Sequence, residues 1–168
     1  MANPRVLKNF NLFVDGRGYA GRIDELELPE LTVKTEEHRA GGMDAPIDID
    51  LGLEAMEATA TLSDYDENVI RLFGLANGSA VQVTARGALQ RDGEAVVPVV
   101  CNLRGSIKGM ATGSWAAGEK ATLELTFAVR YYRLEIGGES LIEIDVENMI
   151  RKIGGTDQLE GIRSAIGV

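Results

Sequence analysis

The sequence predicts a mainly β protein of the α+β class: an antiparallel β-barrel or sandwich with a flanking α-helix and a long projecting hairpin. Three observations carry that prediction. Apolar and polar residues alternate with period two through most of the chain, the period of a half-buried strand. Twenty glycines punctuate those runs, as turn-rich β proteins require. Finally, 168 residues suffice for one domain with a real core, and no linker, low-complexity segment or internal repeat divides them, so residues 1–168 read as a single domain.

Taken in order, Asn11–Val14 and Tyr19–Ile23 form a short hairpin around Asp15-Gly16-Arg17-Gly18. A long hairpin follows over about 26–60. Its outgoing strand places Leu26, Leu28, Leu31 and Val33 at apolar positions, disrupted at Pro29. Its return strand sets Ile47, Ile49, Leu51 and Leu53 on one face and Asp48, Asp50 and Glu54 on the other. The parity then flips to Met56, Ala58, Ala60 and Leu62, which predicts a bulge near Ala55. Between the strands lies Arg39-Ala40-Gly41-Gly42-Met43-Asp44-Ala45-Pro46, a tip without chemistry that reads as a contact.

Ser63 reads as a helix N-cap with Asp66 at the third helical position. Tyr65, Val69, Leu72 and Phe73 supply the buried stripe, and Gly74 ends it. Strands return over Val81–Leu89, Ala95–Ile107 and Ala121–Ile136, the last with Leu123, Leu125, Phe127, Val129 and Tyr131 inward and a parity flip near Arg133. Gly137-Gly138 turns the chain into Ser140–Ile144. A terminal helix follows Asp157, with Glu160 completing a capping box and Leu159, Ile162 and Ile166 as its apolar face. The total is seven or eight strands and two helices.

Composition excludes several function classes. The net charge is −9, and it is uneven. Residues 1–60 carry 12 acidic and 6 basic side chains, 61–134 carry 7 and 8, and 135–168 carry 7 and 3. Gripping a phosphate backbone requires clustered Lys and Arg, so the chain lacks that footprint, and its acidic balance would repel nucleic acid. No apolar run is long enough to span a bilayer, and no signal segment opens the chain, so no membrane anchor is expected. The single cysteine, Cys101, leaves no intrachain disulfide and suits a reducing cytoplasm.

The chemical motifs are fragments. Gly16-Arg17-Gly18-Tyr19-Ala20-Gly21 matches the dinucleotide pattern, but that pattern works only where a helix opens behind it, and here a strand follows. Asp64-Tyr65-Asp66-Glu67-Asn68 begins like a calcium loop and then has Val69 for the glycine and Leu75 for the bidentate glutamate. Asp48 and Asp50 share a strand face without the cleft that paired acid–base catalysis needs. One histidine, His38, supplies neither a metal cluster nor a Ser-His-Asp triad; it reads as a surface or interface residue. Cys101 reads as a small core residue. Trp115 stands in a loop, either anchoring an interface or packing over its own domain. No catalytic, metal or cofactor residue is expected, and the chain does not read as an enzyme.

Arg39 to Pro46, continuing through Ile47 and Leu51-Gly52-Leu53-Glu54-Ala55-Met56-Glu57-Ala58, resembles the major tail tube protein of contractile-tailed phages and R-type pyocins. Further matches run almost end to end: Asn11-Leu12-Phe13-Val14-Asp15-Gly16, Val33-Lys34-Thr35-Glu36, Phe73-Gly74-Leu75, Val97-Pro98-Val99-Val100, Trp115 with Ala117-Gly118-Glu119-Lys120, Tyr131-Tyr132 and Asp157-Gln158-Leu159. The resemblance implies a structural virion protein whose strands join a hexameric inner barrel and whose rings stack into a hollow tube. On that reading Arg39 to Pro46 form the ring-stacking contact. Asp48, Asp50 and Glu54 are candidates to face the lumen, with Arg86, Arg104, Lys108 and Arg130 as the alternative lining. The implied partners are further copies of the chain, a tail sheath protein, baseplate and tail terminator proteins, and tape measure protein and passing DNA in the lumen. The implied place is a virion tail or bacteriocin particle assembled in the host cytoplasm. The rival readings are a monomeric β-sandwich that binds carbohydrate, for which aromatics at 5% are sparse, and a ring subunit of a type VI-like secretion system.

Overall fold

The computed structural model describes residues 3–74 and 80–168. Among the described residues ten strands join one antiparallel sheet and two form a separate pair. The elements are β1 (Val6–Val14), β2 (Arg17–Gly18), β3 (Ile23–Glu27), β4 (Val33–His38), β5 (Ile47–Leu53), β6 (Met56–Leu62), α1 (Glu67–Ile70), β7 (Val81–Gln90), β8 (Val97–Ala111), β9 (Leu123–Ile136), β10 (Glu139–Asp145), β11 (Ile150–Ile153), β12 (Thr156–Asp157) and α2 (Glu160–Ile166).

β8 and β9 pair along nearly their full lengths and are shared by two layers. In one layer the order runs β12-β11-β10-β9-β8-β7-β1-β2, using the later half of β9, from Tyr131, and the earlier half of β8, to Gly105. In the other, β3 pairs β6 and β6 pairs β9 over Leu123–Val129, backed by the later half of β8. The shared strands twist from one layer to the other at two irregularities, where Arg130 and Lys108 have no opposite residue. The core fills the space between the layers. Leu12, Val14, Val83, Leu103 and Cys101 meet Ala58, Ala60, Leu62, Leu125 and Phe127, all nearly inaccessible. Of the expected barrel or sandwich this is the sandwich arrangement, with twelve strands among the described residues, two of them only two residues long.

Several local expectations shift. The parity of β9 changes at Arg130, not near Arg133, so Tyr132 is buried where Tyr131 was expected to be. The bulge of the return strand falls at Gly52, whose φ of 105° only glycine adopts easily, and the chain leaves the sheet altogether at Glu54-Ala55. The N-cap of α1 is Asp66, which accepts from the amides of Asn68 and Val69. Ser63 instead bonds back to the Arg22 carbonyl through both its amide and its hydroxyl, so the helix begins three residues late. Of the expected stripe Val69 is buried, whereas Phe73 is half exposed. Leu75 lies outside the described residues. At α2 the cap is Leu159, without a side-chain bond; Asp157 receives the Leu159 amide and the Arg163 guanidinium instead. Its apolar residues Ile162 and Ile166 face solvent.

The long hairpin divides. Residues 23–27 and 56–62 belong to the body, and only β4 and β5 form a separate two-stranded sheet. The reason lies on β9. Beyond Val129 its edge is taken over by β10, which pairs from Tyr131 onward. β5 therefore has no strand to lie beside and peels away with β4.

Candidate assembly surfaces

The β4–β5 ribbon is exposed along almost its whole length. Its register sets His38 opposite Ile47, Glu37 opposite Asp48, Glu36 opposite Ile49 and Thr35 opposite Asp50. One face thus carries Thr35, Glu37, Asp48 and Asp50, and the other exposes Ile47, Ile49 and Leu51. An isolated two-stranded ribbon is marginal in water, and directly opposed Glu37 and Asp48 weaken it further. Ile47, Ile49 and Leu51 share that face with Glu36 and His38 and stay exposed, large apolar side chains left uncovered on a thin ribbon.

At the tip, the Met43 amide bonds the Ala40 carbonyl, and the Met43 sulfur accepts from the Ala40 amide. Gly42 has φ 89°. Ala40 to Met43, within Arg39 to Pro46, therefore form a hydrogen-bonded turn.

The three acidic candidates do not share a face. Asp48 stays exposed on the ribbon. Asp50 is drawn toward the body, accepting from the Gly52 amide and pairing with Arg151 at 2.9 Å. These contacts, the Gly52 bond foremost, hold its carboxyl below the usual range. Glu54 lies beyond the Gly52 bulge and joins a cleft walled by Glu27, Glu30, Glu57 and Thr59. Period-two counting put the three together because a glycine bulge is invisible to it.

That cleft belongs to the solvent face of the β3-β6-β9-β8 layer. Opposite pairs there are Glu27 with Thr59, Glu25 with Thr61, Thr59 with Thr126, Thr61 with Glu124 and Glu57 with Ala128. Four carboxylates and three threonines face one base, Lys108, which is paired with Glu57. Sequence reading missed this acidic face; alternate Thr and Glu in Glu57–Thr61 were the available signal.

The opposite layer's solvent face is a balanced polar network. Arg133 bonds Glu135 at 2.6 Å and approaches Glu143, while Arg104 approaches Asp145 and lies over the Tyr131 ring. Arg130 pairs with Glu147. Of the alternative basic lining, Arg104, Lys108 and Arg130 are thus already matched by acids of their own chain.

The β3-β6-β9-β8 layer also has two unfinished edges. Among the described residues β3 pairs only β6, and β8 beyond Gly105 meets no strand on its outer side apart from a single parallel bridge, Phe73 to Ile107, with the Gly74 amide on the Ile107 carbonyl. Unpaired edges of this kind are templates for another chain.

Cys101 is buried, and that burial pushes its thiol up to about 12, which removes it as a nucleophile. His38 is exposed on the ribbon. Gly16 and Asp15 form the β1–β2 turn, both with positive φ, and no helix follows them. Among the described residues no three His, Cys, Asp or Glu side chains converge as metal ligands, and no helix is long and apolar enough to cross a membrane. Trp115 is 86% exposed, and its indole N–H donates to the Tyr65 hydroxyl.

Comparison with known proteins follows the same line as the geometry. The family model described as "Phage tail tube protein FII" matches residues 4–167. The tail tube protein of Escherichia phage P2 is 38% identical over the full length of both chains. The major tail tube protein of Serratia phage KSP20 is 31% identical, with 100% of this chain and 99% of that one covered. Among solved structures, the sheath/tube terminator of an extracellular contractile injection system in its extended state superposes with a TM-score of 0.61. There the identity is 14%, over 79% of this chain and 97% of that one. That likeness concerns the fold.

Proposed function

The chain belongs to the phage tail tube protein FII family, and from that premise we propose that it assembles as hexameric rings stacked into the inner tube of a contractile tail. The tube is the conduit for DNA ejection or, in a headless particle such as an R-type bacteriocin, the rod that breaches an envelope. The observation that carries this reading is the four-stranded layer with two open edges. Joining the free edge of β3 to the outer half of β8 in the next copy satisfies both, and a closed ring leaves no edge exposed.

In that ring the Thr–Glu face of the layer turns toward the channel. Glu54 remains a lumen residue, in company with Glu25, Glu27, Glu57 and Glu124, while Asp48 and Asp50 belong to the ribbon. Six copies at −9 each carry about 54 net negative charges, and an acidic wall repels DNA over roughly the Debye length of 8–10 Å. The polar face of the opposite layer meets the sheath. The first and last rings meet baseplate and terminator, the tape measure protein occupies the lumen before DNA does, and assembly takes place in the host cytoplasm.

Head-to-tail stacking is a heterologous contact that propagates into a filament, and the ribbon with Arg39 to Pro46 at its tip is the projecting half of it. Deleting Gly41 to Asp44, or Gly42→Pro, which forbids the observed φ of 89°, leaves a folded protein that does not polymerise. Negative-stain microscopy and sedimentation, with baseplate added as seed, read the result. Normal tubes from the deletion would remove the ribbon from stacking. A wild-type protein that stays monomeric when seeded would refute the tube itself.

A further inference from the structure

We propose that the Trp115 loop is the socket that receives the ribbon tip of the neighbouring ring. The inference rests on the stacking reading and names its other half.

A propagating contact needs two different surfaces at opposite ends of the subunit. β6 is the ruler. At its Met56 end the chain comes in from the ribbon; at its Leu62 end it faces Leu123 and Ile23. The loop 112–122 joins β8 to β9 at that second end, since Ala111 lies opposite Glu124. Seven residues of β6 separate the ends by roughly 20 Å.

Trp115 is held for contact. Its indole N–H donates to the Tyr65 hydroxyl at 2.9 Å, and that hydroxyl donates to the Thr112 carbonyl at 2.7 Å. The ring is oriented, yet 86% exposed. Indoles fixed in this way and left bare are the anchors of protein contacts. Around it Ala116, Ala117 and Ala121 keep an open cleft of about 370 Å³.

The ribbon tip fits such a cleft. Gly41 and Gly42 leave it narrow, and Met43 offers a thioether to the indole. Charges also match. The tip carries Arg39 and Asp44, and the loop carries Glu119 and Lys120. Among the described residues Arg39, Asp44 and Glu119 make no ion pair, and Lys120 makes only a 3.8 Å contact with Asp24.

Because the chain has one tryptophan, the native protein reports on the proposal directly. On tube formation the emission should shift to shorter wavelength and acrylamide quenching should fall severalfold. Trp115→Ala should leave the melting temperature unchanged and raise the concentration needed for assembly by at least about thirtyfold, the hot-spot range for a buried aromatic. Ala40→Cys combined with Ala116→Cys should yield disulfide ladders in tubes and none in dispersed subunits, the buried Cys101 staying silent. Tubes that form with Trp115 still fully quenched, or that form normally from the alanine variant without ladders in the double-cysteine protein, overturn the socket and leave stacking intact. An indole that becomes protected while the cysteine pair stays unlinked assigns Trp115 to a different contact and overturns the socket too. Failure of the wild type to form tubes on baseplate overturns the stacking reading, and the socket with it.

Discussion

Gly105 is the position where one methyl group should do the most damage. It sits where β8 and β9 cross from one layer to the other, and its partner on β9 is Val129. A Cβ there would lie 1.9 Å from the Ala128 carbonyl oxygen and 2.9 Å from its carbon. Carbon–oxygen contacts across sheets settle at about 3.3–3.6 Å, so the strands must part by roughly 1.4 Å. The clash is with backbone, so no rotamer relieves it. Separation of that size breaks about two ladder hydrogen bonds, worth ~1 kcal/mol each net, and adds overpacking strain of ~1–3 kcal/mol. Gly105→Ala should therefore cost about 3–5 kcal/mol, a large share of the 5–15 kcal/mol typical of a domain. Gly109→Ala is the control. Its Cβ would meet Thr126 side-chain atoms at 3.2–3.3 Å, which can give by a few tenths of an ångström, so it should cost under ~1.5 kcal/mol. Urea unfolding of the dispersed subunit followed by circular dichroism measures both. At ~2–3 kcal/mol per molar urea, Gly105→Ala should lower the midpoint by about 1–2.5 M. A loss below ~1 kcal/mol, or equal losses for the two variants, would refute the argument that β8 and β9 touch through backbone here.

Asp66→Ala should destabilise by ~1–2 kcal/mol, the value of an N-cap, because it deprives two amides and Arg22 of their acceptor; an unchanged urea midpoint would contradict the assignment. The Asp157 carboxyl is held down to about 2, first by its bond from the Arg163 guanidinium. A lowered carboxylate value adds stability that is complete above the unfolded pKa of about 3.9 and disappears as pH falls toward the folded value. Protection of the α2 amides, relative to their intrinsic exchange at each pH, should thus fall between about pH 4 and 2, and Asp157→Asn should show low protection at neutral pH as well. Cys101, with its thiol raised to about 12 by burial, should resist a thiol reagent at pH 8 until the protein unfolds; rapid labelling of the native subunit would place it outside the core.

Strand content was legible because alternation is local. Leu123, Leu125, Phe127 and Val129, or Met56, Ala58, Ala60 and Leu62, declare an inward face whatever they pack against. The same counting lost its phase wherever one residue was inserted. Gly52 separated Glu54 from Asp48 and Asp50, and Arg130 moved the buried tyrosine from 131 to 132. The helix cap moved from Ser63 to Asp66 because the Arg22 carbonyl, 41 residues away in sequence, captured the serine hydroxyl. The sequence leaves the Trp115 loop a choice between two roles; the structure adds that its ring is oriented by the Tyr65 hydrogen bond and 86% exposed.

By itself the sequence determined the β class, the projecting tip between two alternating strands, the lack of clustered base for gripping nucleic acid, and the family resemblance. Each of these depends on residues near one another in the chain or on sums over it. The tertiary structure decided which strand edges stay open, that the ribbon starts at residue 33 because β10 claims the edge of β9, and which carboxylates share a surface. Those outcomes depend on pairings between segments as much as 101 residues apart, such as Asp50 with Arg151, and no local pattern encodes which of two strands reaches an edge first.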